Sequence, residues 1–581
     1  MKFRKNLYTV SISAAMLALA GCGITPQDEG SGASNPVSGL AVDGYLAGAT
    51  VYVDVNENNK LDAWESRALT DNSGYFSTTP DGVDYCNDTA VGVDEADTAK
   101  KIRALRIHCL KAPAGYEEVM IRMTGGYDLA TVEPFNGTIS VKADLSAGGM
   151  IVATPVTGLL AEISADFTQA QIDAFIAREG LNPGGVDISK LDFLDFSAST
   201  EITDEAHRLT LLKLALQAHK VADVTAALLD PEYNAVNGNN ADGFFGVNGD
   251  VPTDVSSYVY KAIVAAAVGG TDTIDTILTT QASLEAVITQ AVANIDEGVI
   301  DEFNDRLPTD VDSGLPENPA DMLNKPTVTP GPIAANVIKI AQTVSTVFGT
   351  PLVAADSYTD ANSNVVNFTE EHDATSRMRA IDAVVYLTRS GAPAADVDSA
   401  KDWATLGDAN TVGYLKNLKH PAVDMVDLKA KFVTGGVVLA DSDYSGRATF
   451  DSLFGTNSAF SSSEAGGTVN TEGFGGNSLA LDSPDGDDVS VDFGGTGAET
   501  SGDLNLSATF TEGDYAKTDE SGNPVPLELD GTWEKIDDYT MLMNVEVTDG
   551  VFEPVIVKPD ANGGYYFDLG GEQVSWGAPA P

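Results

Sequence analysis

The chain of 581 residues carries 86 acidic side chains against 33 basic ones, a formal charge of -53, and is 43% apolar. An apolar share near the globular average excludes wholesale disorder, and the length suits roughly two to four domains. So acidic a surface repels nucleic acid and anionic headgroups, attracts cations and stays soluble in strong salt.

The first segment, MKFRKNLYTVSISAAMLALAGC, has Lys2, Arg4 and Lys5 before an apolar run ending at Ala20, Gly21 and Cys22. This layout predicts a signal peptide over residues 1–21, too short and wrongly flanked for a membrane span. LAGC, residues 19–22, resembles the bacterial lipobox, which implies cleavage before Cys22 and acylation of Cys22, as with palmitate. Two or three acyl chains anchor firmly where one does not. Gly23, rather than Asp, implies an outer-membrane lipoprotein, on either the periplasmic or the cell-surface face. A soluble secreted protein with a chance cysteine is the alternative. Residues 22–38 are small and polar with two prolines, and predict a flexible tether.

Further on, Val51, Val53 and Val55 alternate with Tyr52 and Asp54, the period of a half-buried strand. The turn DNSG, residues 71–74, then feeds Tyr75 and Phe76. Between them DVNENNKLDAWE, residues 54–65, spaces oxygen donors as a calcium loop does. Asp54, Asn56 and Asn58 take positions 1, 3 and 5, the Lys60 carbonyl 7, Asp62 9, and Glu65 12 as a bidentate ligand. Alternate spacing lets a curled backbone turn every second side chain inward. Asn59 stands where Gly is usual, and Asn tolerates the left-handed conformation better than most residues. A strand leads into the loop, so Ca2+ would pin the loop rather than move helices apart. A metal-free polar hairpin loop is the alternative. Cys86 and Cys109 can close a disulfide outside the cytoplasm, worth roughly 3 kcal/mol on the chain-entropy account. With only His108 beside them, they make a poor metal site.

The stretch VDGYLAGATVYVDVNENNKLDAWESRALTDNSGYF resembles the prealbumin-like, Sdr B-like β-sandwich modules repeated in bacterial surface proteins. Their shared pattern is DG..L.GA.V..D.N.N...D..E....T...G.(YF). Gly44, Gly48 and Gly74 match its turns, while Asn59 and Trp64 depart from it. MTGGYDLATVEPFNGTISVKAD and IVATPVTGLLAE resemble segments that follow such modules in surface lipoproteins and adhesins. The resemblance covers about residues 39–200. It implies a calcium-binding β-sandwich module over residues 39–150, a surface location, a structural or adhesive role and no catalysis.

An α-helical domain is predicted over residues 151–415. Residues 209–229, 283–307, 331–349 and 374–390 show a 3–4 residue apolar period. Pro332 lies near the start of the third, as helix N-termini favour. The polar connector 233–254 places Asn237, Asn239, Asp242, Asn248 and Asp250 as candidates for a second cation, with a solvated loop as the default. Residues 308–322 form a similar, weaker connector. His108, His207, His219, His372 and His420 are scattered. Glu370, Glu371, His372 and Asp373 cluster where a helix starts, which capping and the dipole explain. No GxSxG, HExxH or P-loop occurs. Paired carboxylates are uninformative among 86 acids.

An acidic antiparallel β-sandwich or barrel is predicted over residues 416–581. Residues 448–581 hold 25 acids and three bases, Lys517, Lys535 and Lys558. Short alternating runs such as DVSVDF, TMLMNVEV and GGYYFDL are punctuated by turn residues. Trp533, Tyr565, Tyr566 and Trp576 are candidate stacking surfaces for a sugar or peptide, with burial in a core as the other reading. DSPDGDD, residues 482–488, reads as a turn with spare carboxylates.

The expected architecture is therefore multidomain: an N-terminal β-sandwich, an α-helical middle and a C-terminal β domain. The leading expectation is a non-catalytic surface lipoprotein with a structural, adhesive or envelope-assembly role. Its expected partners are outer-membrane lipid, through Cys22, and an extracellular polysaccharide or envelope protein. Alternatives are a carbohydrate- or peptide-binding surface protein and a carboxylate-based glycoside hydrolase, which needs two carboxyls about 5–9 Å apart in a cleft.

Overall fold

Short β-branched runs broken by glycine and Asx turns favour short strands at the start of the chain. The computed structural model describes residues 35–87 except 63, 107–181 except 147, 187–196, 202, 204–237, 255–301, 304, 323–352, 358–359, 365–366, 369–405, 449–450, 460–462, 477–482, 488–494, 501–509, 517–518, 524–525, 527–548, 551–559, 565–569 and 572–576. The first region contains β1 (Asn35–Pro36), β2 (Gly39–Ala41), β3 (Leu46–Ala47), β4 (Thr50–Asp54), β5 (Arg67–Leu69), β6 (Tyr75–Phe76), β7 (Lys111–Ala112), β8 (Glu118–Thr124), β9 (Tyr127–Asp128), β10 (Glu133–Pro134), β11 (Thr138–Asp144) and β12 (Ile151–Ala153). They assemble as a four-stranded sheet β11-β8-β4-β5, three-stranded sheets β12-β2-β6 and β10-β9-β3, and the pair β1-β7. β12 runs parallel to β2.

Val51, Val53, Ile121, Met123, Ile139 and Val141 of the four-stranded sheet share one core with Ala41, Phe76, Ile151 and Ala153 of the β12-β2-β6 sheet. Leu40, Val42 and Val152 instead enter the core built by the helices. Side chains along a strand alternate between faces. β2 and β12 are therefore a wall shared by two cores. The turn before β9 is equally tight: Gly126 has φ +75°, and a Cβ there would lie 2.5 Å from Ala47 O and Ala49 N.

The helices follow: α1 (Pro155–Ala161), α2 (Gln169–Glu179), α3 (Glu205–Asn237), α4 (Ser256–Gly269), α5 (Ile274–Thr279), α6 (Gln281–Ile295), α7 (Pro330–Val347), then strands β13 (Tyr358–Thr359) and β14 (Val365–Val366), and α8 (Glu370–Arg389) and α9 (Ala394–Thr405). A π-helical turn, Asp296–Asp301, continues α6. Thr154 and Thr157 form a reciprocal capping box before α1, with Pro155 at its start. The run predicted helical over 209–229 is one helix, α3. Ala215, Ala218 and Ala222 of α3 pack in one core with Ile340 and Val344 of α7 and Ala380 and Val384 of α8. Residues 238–254 and 305–322 lie outside the described residues, and so do the second-cation candidates Asn239, Asp242, Asn248 and Asp250. Among the described residues no helix is long and apolar enough to cross a membrane.

The C-terminal strands are β15 (Phe460–Ser462), β16 (Asn477–Asp482), β17 (Asp488–Phe493), β18 (Ser501–Thr509), β19 (Lys517–Thr518), β20 (Pro524–Val525), β21 (Leu527–Asp537), β22 (Thr540–Thr548), β23 (Val551–Pro559), β24 (Tyr565–Leu569) and β25 (Glu572–Trp576). All but the β19-β20 pair line up in chain order as a nine-stranded sheet, curved as a half-barrel. Each neighbouring pair in it is antiparallel. Val491, Phe493, Leu504, Trp533, Met541, Met543, Val555 and Val557 fill one face, together with Phe450. Leu542 and Ile556, one residue out of that phase, pack against Ala47, Tyr127 and Val132 of the first region. Asn505, Ser507, Glu528 and Asp530 pair across β18 and β21 on exposed positions.

Candidate functional site

β4 leads into the loop 54–65, and β5 leads away from it. Asp54 is fully buried at the end of β4. Its Oδ1 accepts the Asn58 N–H at 3.1 Å and its Oδ2 the Asn59 N–H at 3.0 Å. Asn56 Oδ1 accepts the Asn58 N–H at 3.3 Å, and Asn58 Oδ1 the Lys60 N–H at 3.0 Å. The Glu65 carboxylate spans the loop, accepting from Val55 N–H at 2.8 Å and Asp62 N–H at 3.1 Å. The amides of Asn56 and Asn58 both donate to Asp62 Oδ2, at 2.9 and 3.1 Å. Asn59 takes φ +60°, the left-handed conformation the sequence assigns to it. Asp54, Asn56, Asn58, Asp62 and Glu65 are thus brought to one loop, with Lys60 on its backbone.

Sequence reasoning missed Arg122. It sits on β8 between Tyr52 of β4 and Ser140 of β11. Only 2% exposed, it places Nε 2.6 Å from Asp54 Oδ2. Its Nη1 reaches Ser140 Oγ at 2.7 Å and Glu162 Oε1 at 3.2 Å. Burial pulls the guanidinium down, but Glu162 and Asp54 outweigh it and hold it above its ordinary value. The sequence did carry a signal. In EVMIRMT, Val119, Ile121 and Met123 belong to the β core, so a charged residue on the opposite phase must find a partner or water.

The donor set suits a hard cation, because every expected ligand offers oxygen. Burial raises the Glu65 carboxyl, and the charges of Asp54 and Asp62 push it the same way. A cation among them relieves that repulsion. Among the described residues no three His, Cys, Asp or Glu side chains converge closely enough to hold a metal by themselves.

Cys86 and Cys109 form a disulfide with Cα atoms 5.0 Å apart. His108 beside it is structural: Nδ1 lies 2.9 Å from the Leu69 carbonyl, and its ring packs against Tyr85 at 4.9 Å. His372 completes a capping box with Thr369 at the start of α8. Trp533, a candidate stacking residue, is instead a core residue. It is 1% exposed, meets Phe493 edge-on at 5.7 Å and donates Nε1–H to the Gly494 carbonyl at 3.3 Å. Its strand phase is that of Met541 and Met543, and this face is filled. Tyr565 pairs in register with Trp576, and Tyr566 with Ser575. The side chains of Tyr565, Tyr566 and Trp576 lie outside the described residues, as does Cys22.

A cleft of about 250 Å³ lies between β11, α1 and the 3-10 turn at Ile188–Lys190, with Glu118, Asp144, Asp187, Lys142 and Lys190 on its wall. Asp144 caps Ser146, accepting from its N–H at 2.8 Å and its hydroxyl at 2.6 Å. Asp187 does the same for Ser189, at 3.0 and 2.8 Å. A second cluster that sequence reasoning missed lies deeper. Lys220 Nζ is 3.0 Å from Asp43 and 3.4 Å from Asp382, all of them buried. Neither protein-family descriptions, curated proteins nor solved structures yield a match to this chain.

Proposed function

We propose that this chain is a non-catalytic lipoprotein of the bacterial outer membrane, anchored through acylated Cys22, with a structural, adhesive or envelope-assembly role. On this reading residues 39–150 are a prealbumin-like β-sandwich whose loop 54–65 takes Ca2+ as a clamp. Asp54, Asn56, Asn58, Asp62 and Glu65 would hold the ion with the Lys60 carbonyl. The ion would supply positive charge and stiffness, not chemistry. The observation that supports the reading is the curl of the loop between two strands, where Asp54 and Glu65 accept its backbone N–H groups and Asn59 is left-handed. A sugar- or peptide-stacking surface loses Trp533 to the core, which weakens that alternative.

Calorimetry of Ca2+ added to the full chain tests the clamp, beside an Asp54→Ala, Glu65→Ala double variant. Expected is binding by the parent alone, with a raised melting temperature. No heat and no stabilisation in the parent would remove calcium from the reading. Labelling with palmitate, lost in Cys22→Ser, tests the anchor separately.

A further inference from the structure

The contact between the first β region and the helices holds more acid than base. Asp43 follows β2, and Asp128 lies on β9 close by. Leu129 N–H donates to the Tyr45 carbonyl at 3.0 Å and Ala130 N–H to the Gly44 carbonyl at 3.2 Å. A Cβ on Gly44 would overlap the Asp128 carboxylate. Facing these acids, α3 presents His219, Lys220 and Asp223, α4 presents Tyr260, and α8 presents Arg379, Asp382 and Arg389. Asp223 is taken by Arg389 at 3.1 Å. Arg379 donates to the Ala130 carbonyl at 2.8 Å, with Asp537, Asp128 and Glu133 also in its field. His219 stacks on Phe135 at 4.7 Å, lies 3.4 Å from Tyr260 Oη and 3.8 Å from Asp43 Oδ2. Lys220 thus serves Asp43, Asp128 and Asp382, with Arg379 also in the field of Asp128. Asp43 Oδ1 and Asp128 Oδ2 are buried and accept no hydrogen bond among the described residues.

We propose that this joint carries a proton: Asp128 is seated as a carboxylic acid, and its ionisation loosens the first β region from α3 and α8. A carboxylic acid removes one of the excess charges and brings a donor into a cluster rich in acceptors. Burial and the Asp43 charge push the Asp128 carboxyl up to about 7, against the pull of Lys220. Asp43, although buried, is held below the usual range by Lys220 and His219. Asp128 is thus the member that keeps the proton. A carboxyl raised in the folded state stabilises that state fully below its ordinary value and loses the contribution as pH rises through about 7. His219 works from the other side. Burial lowers it against the charge of Asp43, so its contribution is lost as pH falls below the ordinary imidazole value.

The test compares denaturant unfolding of the full chain and of Asp128→Asn and His219→Gln between about pH 5 and 8. One linked proton changes an unfolding constant by about tenfold per pH unit. Taken as a ratio to the parent, which cancels other titrating groups such as Glu534, the constant for Asp128→Asn should fall steeply from pH 5 to 7. For His219→Gln the ratio should rise over the same range. Ratios that do not vary with pH would overturn the proposal. Should Asp128→Asn fail to fold, hydrogen exchange on the parent decides. Amides of residues 127–132 and 216–223 should open more at about pH 8.5 than at 6, beyond the intrinsic rate change, while β16 and β17 stay unchanged. No excess opening at these amides would sink the idea.

Discussion

The first β region and the C-terminal half-barrel close their cores by different means. The longest strands of the first, β8 and β11, have 7 residues and sit in sheets of four strands or fewer. β21 in the half-barrel has 11, and its sheet has nine strands. Small sheets cannot bury enough apolar surface alone. The first region makes up the difference with a disulfide, with a β2–β12 wall shared with the helices, and with charges taken inside and paired. Asp54–Arg122–Glu162 and Asp43–Lys220–Asp382 are the two such sets. The half-barrel draws on less of this, although Lys558 of β23 is buried and burial raises the Glu534 and Asp537 carboxyls of β21. Its alternating strands fill one face with Trp533, Met541, Met543 and Val557 and leave Asn505, Glu528 and Asp530 outside. The lesson is that a long regular sheet can keep most of its charge on its outer face, whereas small irregular sheets that share cores with helices take more of it inside, where it must be paired.

Three variants bear on this contrast. Trp533→Ala should cost about 3–5 kcal/mol, as large core truncations do, with hydrogen exchange rising across β17–β22. A loss below about 1 kcal/mol would mean that the half-barrel does not rely on its filled face. Arg122→Met should cost about 3 kcal/mol, because buried Asp54 is left with backbone N–H donors but no cation. The loss should be confined to exchange in β4, β8 and β11. A cost no larger than that of an exposed pair would show that the inward charges matter little, and the contrast would fail. Cys86→Ser with Cys109→Ser should cost roughly 2–3 kcal/mol, from a crosslink joining residues 23 apart. Reductant should lower the parent's melting point to that of the double variant and leave the double variant unmoved.

Several features were legible before any coordinates. The strand–loop–strand frame of residues 51–69, the left-handed Asn59 and the helices α3, α6, α7 and α8 follow from spacing and turn chemistry within about twenty residues. The Cys86–Cys109 bond followed from there being only two cysteines beyond Cys22. Trp533 was not legible, because alternation in β21 gives two phases and cannot say which one faces a filled interior. Arg122 showed only as a charge among apolar neighbours, without a partner.

What the sequence determined by itself is local: where the chain turns, which segments coil, and which oxygens one loop can gather. Those depend on backbone preference and side-chain period, which act between near neighbours. The tertiary structure decided which charges go inside and what they meet. Arg122 finds Asp54 across 68 residues, and Lys220 finds Asp43 across 177. Coulomb energy depends on distance and burial, and no spacing along the chain encodes either.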